Sequence, residues 1–461
     1  MNIVLIALDT QRADHLGCYG YGRETSPHID RLARDGVVFE SCFAPNIPTH
    51  PSFTTLFSGK EAITHDIVNI GGGVPIRDGV RLLPEILADN GYATAAVDNM
   101  GRHFTRGFEK YHEYQWDKSD PTVLRKAEAV TDVALPTIED LKSDERPFFL
   151  FLHYWDPHTP LLPPPGYQDL FYDGDPYRSD NRSMDEAWSW EPFKWYFHDW
   201  MPGVTDSDYV VNLYDGEIRY MDHHLSRVFD ALESVRDDTL VLITADHGEI
   251  LDDQLGYFDH HGLYDPTVRV PLIMSHPKLP AGRRVPGLVQ NVDVAQTVLD
   301  LAGIPQTERM EGLSLLPSIY GARDGNYAEV YLSEATWEVK RAIRTERWKL
   351  ITSIEPDPHG RPMTELFDLA ADPGEQVNVA DAHPDQVRDL TARLDAWLAR
   401  RLAETGRSSD PVADQGACAT RIGAARDDEV VGPGAVPLRE RTGQAAGIPD
   451  PSHLNTPAAG S

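Results

Sequence analysis

The chain reads as an α/β protein, one large and mostly parallel sheet covered by helices on both faces, followed by a smaller α+β domain. Apolar runs of strand length alternate with amphipathic helical segments, the pattern of a doubly covered parallel sheet. Within those runs apolar residues follow one another without polar alternation, as in strands buried on both faces. Asp9, Asp156 and Asp246 fall just after such runs, where an open sheet presents the carboxyl edge that binds ligands.

The strand-like runs are IVLIAL at 3–8, TAAV at 94–97, FFLFLHY at 148–154 and LVLIT at 240–244. Between them, SPHIDRLARDG from Ser26, RLLPEILADNG from Arg81 and DGEIRYMDHHLSRVFDALESV from Asp215 space apolar residues three or four apart and stop near Gly or a polar cluster, as helices do. Residues 161–210 break the pattern with Pro, Asp, Gly and aromatics, among them Trp188, Trp190, Trp195, Tyr196, Phe197 and Trp200. A segment of that length and composition reads as a lid over the site or as an interface insertion. A further helix, VDVAQTVLDLAG, precedes the strand-rich AIRTERWKLI at 342–351 and ELFDL at 365–369, and HPDQVRDLTARLDAWLARRL is a last amphipathic helix. The predicted organisation is a catalytic domain over 1–324, a small α+β domain over 325–404, and a flexible tail or extended arm over 405–461.

Acidic residues number 73 against 42 basic ones, a balance that repels a phosphate backbone and excludes nucleic acid as a natural partner. No window approaches the roughly 20 apolar residues of a membrane helix, so no membrane partner is expected. The first apolar run lacks a basic flank and a small-residue cleavage site, and reads as a buried strand. Cys18, Cys42 and Cys418 cannot all pair and form no CxxC motif, which points to a reducing compartment; the expected location is the cytoplasm. The expected partner is a small-molecule ester, with a homo-oligomer left open.

Asp9 ends the first run, and Asp246-His247-Gly248-Glu249 ends the LVLIT run. Two carboxylates and an imidazole at one sheet edge make a divalent-cation site, although each residue alone also suits a cap or turn. Thr49, in APNIPTHPSFTTLFSGK at 44–60, stands where a helix begins, so its hydroxyl can face that cation or simply cap the helix. A free alcohol does not ionise at neutral pH, and coordination is the obvious activator.

Together these segments resemble the alkaline phosphatase-like superfamily, and within it the sulfatase and phosphonate monoester hydrolase branch. The resemblance covers most of residues 1–400. It rests on LDTQRADHLGCYGYGRETSPHIDRLARDGVVFE, on Thr49-His50-Pro51-Ser52 with Gly59-Lys60, and then, in order, on ITADHGE, HGLYDPTVRVPLI at 261–273, NVDVAQTVLDLAGIP, AIRTERWKLI and ELFDLAADPGEQVNVA. It implies an alkaline phosphatase/sulfatase-like sandwich and a hydrolase with Asp9, Thr49, Asp246 and His247 around a divalent cation, calcium or manganese first, with zinc or magnesium also compatible.

The resemblance further implies that His158, in FLHYWDPHTP, and His261 bind the transferred group and protonate the leaving oxygen, while Asn99 and His103 fall near substrate-binding positions. A second arrangement would place another ion on Asp156, His158 and His261. Arg12 reads as a pin for the first strand-to-helix turn, and His223-His224 as packing or surface residues. Departures matter as well. Sulfatases carry a Cys or Ser that is oxidised to formylglycine, with Arg four positions on, whereas this chain has Thr49 and Phe53, and Thr10 where a second Asp would follow Asp9. The expected activity is therefore cleavage of a phosphodiester, phosphonate ester or related ester through a covalent Thr49 intermediate. Alternatives are a formylglycine-independent sulfuric ester hydrolase, a phosphotransferase, or a non-catalytic metal-binding scaffold.

Overall fold

A computed structural model describes residues 1–70, 73–116, 123–190, 197–254, 256–306 and 309–417. Its strands are β1 (Asn2–Leu8), β2 (Val37–Phe43), β3 (Asn46–Ile47), β4 (Ala93–Val97), β5 (Lys110–His112), β6 (Phe148–Tyr154), β7 (Thr239–Thr244), β8 (Arg269–Val270), β9 (Leu272–Ser275), β10 (Arg283–Gln290), β11 (Glu329–Ala335), β12 (Val339–Thr345), β13 (Trp348–Ser353) and β14 (Thr364–Asp368). The helices that matter below are α1 (Pro27–Arg34), α2 (Thr49–Ser58), α3 (Lys126–Lys142), α4 (Ser207–Leu232), α5 (Asp293–Ala302) and α6 (Pro384–Thr405).

Nine strands form the large sheet in the order β10-β2-β9-β7-β1-β6-β4-β5, with β8 paired to β2. Its centre is parallel: β1 lies between β6 and β7, and β4 follows β6. Along β1 the side chains alternate between two cores, Ile3, Leu5 and Ala7 facing one and Val4, Ile6 and Leu8 the other. That double burial is why the run is apolar at every position. Helices α2 and α5 pack into the first core through Phe53, Leu56, Phe57, Val294 and Val298. On the second face, α1, α3 and α4 bring Ile29, Val130, Ala134, Ile218 and Leu225. Helix α4 begins at Ser207, capped by the Asp206 carboxylate, more than two turns before the expected start at Asp215.

The second sheet runs β14-β13-β12-β11-β3. Its last member comes from the first domain, since Asn46 and Ile47 pair in parallel with Ser333 and Glu334 of β11, so the small domain is stitched to the segment just before Thr49. Helix α6 closes it, with Leu390, Leu394 and Trp397 packed on Ile343, Leu350 and Leu366.

The first residues of the segment expected as a tail are folded onto the protein. Asp410 caps a short helix, Pro411–Gln415, by accepting the Val412 N–H, and Val412 and Ala417 are buried against Ala62, Val68, Ala335 and Val339. Polar contacts join these apolar ones: Asp410 pairs with Arg341, Gln415 Nε2 donates to the Asp66 carbonyl at 2.8 Å, and Asn69 Nδ2 donates to the Gly416 carbonyl at 3.1 Å. Residues 418–461, with Cys418, lie outside the described residues. No helix among the described residues is long and apolar enough to cross a membrane.

Candidate active site at the carboxyl edge of the sheet

Strand order decides which side chains meet. Because β7 and β1 are neighbours in register, with Ala7 opposite Thr244, residues just past their ends lie side by side. Asp9, Asp246 and His247 are fully buried, and one ligand atom from each falls within 4.8 Å of the others. Thr49 starts α2, and its Oγ1 lies 3.1 Å from His247 Nε2. The Ser52 hydroxyl donates to the Asp246 carbonyl at 2.7 Å and accepts from Asn291 Nδ2 at 3.1 Å, which ties α2 to the end of β7.

The backbone is bent to suit this cluster. Thr10 sits at φ 54°, in the left-handed region that costs a residue with a Cβ about 1–2 kcal/mol, and there its N–H reaches Asp246 Oδ1 at 3.2 Å. Asp246 Oδ1 also accepts from the His247 N–H at 2.9 Å. His247 Nδ1 lies 3.0 Å from the Gly248 carbonyl, which places the proton on Nδ1 and leaves Nε2 as a lone pair toward Thr49.

These residues fit a divalent cation. Asp9 Oδ1 and Asp246 Oδ2 are buried and have no hydrogen-bond partner, a costly condition unless something positive lies between them. Burial and the neighbouring Asp9 charge push the Asp246 carboxyl above the ordinary carboxylate range. An Asp/Asp/His set with an alcohol oxygen suits several divalent ions.

Three histidines surround the cluster. His158 Nδ1 lies 2.6 Å from the Thr159 carbonyl, so its Nε2 is the free nitrogen. His260 stacks on His247 with ring centroids 4.6 Å apart and lies 5.0 Å from His158. Burial pushes His260 down to about 3, and the nearby imidazoles of His247 and His158 act in the same direction. His158 is lowered by burial too. His153, next to last in β6, bridges two carboxylates: Nε2 is 3.1 Å from Asp9 Oδ2, and Nδ1 is 2.8 Å from Asp98 Oδ1. Burial pulls His153 down, yet its hydrogen bonds to both aspartates lift it to about 10.

The predicted residues therefore fall into two groups. Asp9, Thr49, Asp246, His247 and His158 converge, whereas His261, Asn99 and His103 do not join them. His261 Nε2 pairs with His359 Nε2 at 2.7 Å and its Nδ1 faces Asp259 at 3.3 Å, so the member of the doublet beside the cluster is His260. The antiparallel bridge between Ile250 and Asp259 sets this register, which a bare His-His pair cannot reveal. Asn99 spends both ends of its amide on the Tyr114 backbone, at 3.0 Å each, and serves the loop.

His103 bonds Thr54 Oγ1 at 2.8 Å, more than a turn along α2 from Thr49, and lines a cavity of about 400 Å³ with His50, Asn69 and Arg102. Both Asp156 carboxylate oxygens are buried without a hydrogen-bond partner, with the Lys126 charge acting on them, and Asp156, His158 and His261 do not converge as a metal-ligand group among the described residues. Arg12 bonds Asp14, Asp253 and the Glu249 carbonyl, pinning the turn as expected. In the aromatic insertion, Trp190 stacks on His359 at 4.0 Å and Phe197 meets Phe258 at 6.1 Å, so it folds onto the loop that carries His260 and His261; residues 191–196 lie outside the described ones.

Comparison with known proteins decides the family, since the model for sulfatases matches residues 1–304. The chain belongs to the sulfatase family. A second model, described as N-sulphoglucosamine sulphohydrolase, C-terminal, matches residues 253–404. Sulfatase-family relatives include an N-acetylglucosamine-6-O-sulfatase of Bacteroides thetaiotaomicron, 25% identical, with 82% of each chain covered. Another is a multifunctional alkaline phosphatase superfamily protein of Trinickia caryophylli, 26% identical over 88% of this chain and 96% of that one. Among solved structures, the phosphonate monoester hydrolase of Agrobacterium radiobacter superposes with a TM-score of 0.70 at 23% identity, covering 87% of this chain and 96% of its own. The fold is thus that of sulfatases and phosphonate monoester hydrolases, as the sequence predicts, and the chain is a sulfatase-family hydrolase.

Proposed function

We propose that this hydrolase cleaves a phosphodiester, a phosphonate monoester or a related singly charged ester by direct attack of Thr49, with Asp9, Asp246, His247 and Thr49 holding one divalent cation. The observation that carries the reading is the Thr49 hydroxyl, 3.1 Å from His247 Nε2 at the start of a helix and beside two half-satisfied carboxylates. When bound, the cation supplies charge that favours the ionised alcohol and the transferred group.

The chain's own residues supply the rest. Helix α2 fixes the attacking oxygen, and its N-terminal dipole favours the negative charge that develops there. His158, with Nδ1 donating to Thr159, can take up a proton at Nε2 and return it to the leaving oxygen. His260, neutral because it is buried, stands on the other side of His247 and can serve the leaving group or the water that releases Thr49. His260→Ala is expected to lower kcat by roughly 10²–10⁴-fold, more for poor leaving groups than for good ones, while His261→Ala has a much smaller effect. A leaving-group series on both variants checks this, and the reverse ranking would restore His261 to the site.

Charge sets the substrate preference. Phe53 stands where sulfatases carry an arginine four positions on from the nucleophile, and the residue beside the cluster at position 260 is a histidine. A phosphate monoester carries about two negative charges near neutral pH, and diesters carry one. Turnover of an aryl phosphodiester or aryl phosphonate is therefore expected to exceed that of the aryl phosphate. The names of the relatives favour a second reading, sulfuric ester hydrolysis without formylglycine. One assay with the same aryl leaving group on all four ester types separates them: fastest turnover of the sulfate supports the second reading, and fastest turnover of the phosphate monoester contradicts both.

A further inference from the structure

Four adjacent strands, β7, β1, β6 and β4, place Asp246, Asp9, His153 and Asp98 in one row along the carboxyl edge. Asp9, His153 and Asp98 are all 0% exposed. Carboxylates only accept hydrogen bonds when ionised, so an imidazole wedged between two of them donates from both nitrogens. His153 thereby holds Asp9 Oδ2 and leaves Oδ1 as the oxygen without a partner, in a residue grouped with Asp246 and His247 as candidate ligands.

The row continues on the other side of Asp98. Its Oδ2 accepts from the Tyr111 hydroxyl, and that hydroxyl accepts the Gly101 N–H at 2.9 Å. Gly101 and the next residue, Arg102, both have positive φ, at 61° and 52°, which glycine adopts freely but which is strained for Arg102. Arg102 and His103 then line the cavity beside His50, the residue next to Thr49.

We propose that Asp98 is a branch point that positions the cation ligand Asp9 through His153 and, through Tyr111, the turn whose Arg102 and His103 line the adjacent cavity, where the organic part of the ester would lie. Neither Asp98 nor His153 touches substrate; both are positioning residues. The substrate half of this inference rests on the esterase reading above, and the cation half does not.

Titration of the metal-free full-length chain with manganese, followed by calorimetry, tests the cation half without any turnover. His153→Phe keeps the packing against Phe53, Phe151 and Trp155 but removes both donors. It is expected to weaken manganese binding by roughly 10–100-fold, the usual cost of losing a ligand's supporting partner. His153→Gln, which retains one donor toward Asp9, is expected to recover most of the affinity. Asp98→Asn should weaken manganese binding and also raise KM. Tyr111→Phe should leave manganese affinity as in the parent while raising KM several-fold.

Unchanged manganese affinity in folded His153→Phe and Asp98→Asn, with only a lower melting temperature, would overturn the cation half. An unchanged KM in an active Tyr111→Phe variant would overturn the substrate half. Absence of turnover by the parent on every ester would instead sink the esterase reading and leave the calorimetric result standing.

Discussion

Thr49→Ala is expected to lower kcat by on the order of 10⁴-fold or more, while the protein stays folded and still binds its cation. The side chain makes one hydrogen bond, to His247, and its loss should cost about 1 kcal/mol of stability. Two carboxylates and an imidazole remain for the ion. Steady-state kinetics beside circular dichroism and metal analysis check this. Thr49→Ser, which keeps the oxygen, should retain a large part of the activity, and a Thr49→Ala variant as active as the parent would remove Thr49 from the chemistry.

Removal of the cation should have an effect of similar size for a different reason. Asp9 and Asp246 are fully buried with ligand atoms within 4.8 Å of each other, and one oxygen of each has no hydrogen-bond partner. Chelation is expected to bring turnover to background and to lower the melting temperature, and added divalent ion should restore both. At an ion concentration 100-fold above Kd, the stabilisation should be about 2.7 kcal/mol. Asp246→Ala should mimic chelation and resist rescue, since it deletes a ligand. Full activity after exhaustive chelation would contradict the placement of a cation on these residues.

The parts of this protein that were readable in the sequence are those whose chemistry is imposed by one strand at a time. FFLFLHY is a strand because both faces of β6 are buried, and its observed ends match the apolar run. Asp9 and Asp246 were legible because a charged residue directly after such a run lands at the carboxyl edge. Asp98 carries the same signal, following TAAV at the end of β4. His153 had a signal too, as the lone basic residue in an otherwise apolar and aromatic strand, because a buried polar group must find partners.

Elsewhere the information lies between segments. Choosing His260 over His261 requires the Ile250 to Asp259 pairing, and no local pattern encodes it. The pairing of β3 with β11 joins residues far apart in the chain through two residues only, too short for any periodicity. Strand β10 escapes notice because Pro286 interrupts it; at the sheet edge a register shift between Val285 and Leu288 absorbs the proline.

The most direct test of a covalent Thr49 pathway is the steric course at phosphorus, measured by hydrolysing a chiral phosphorothioate diester in isotopically labelled water. Attack by Thr49 followed by attack of water gives two in-line displacements, so net retention of configuration is the expected result. Net inversion would mean that water attacks the ester directly, and would contradict Thr49 as the nucleophile.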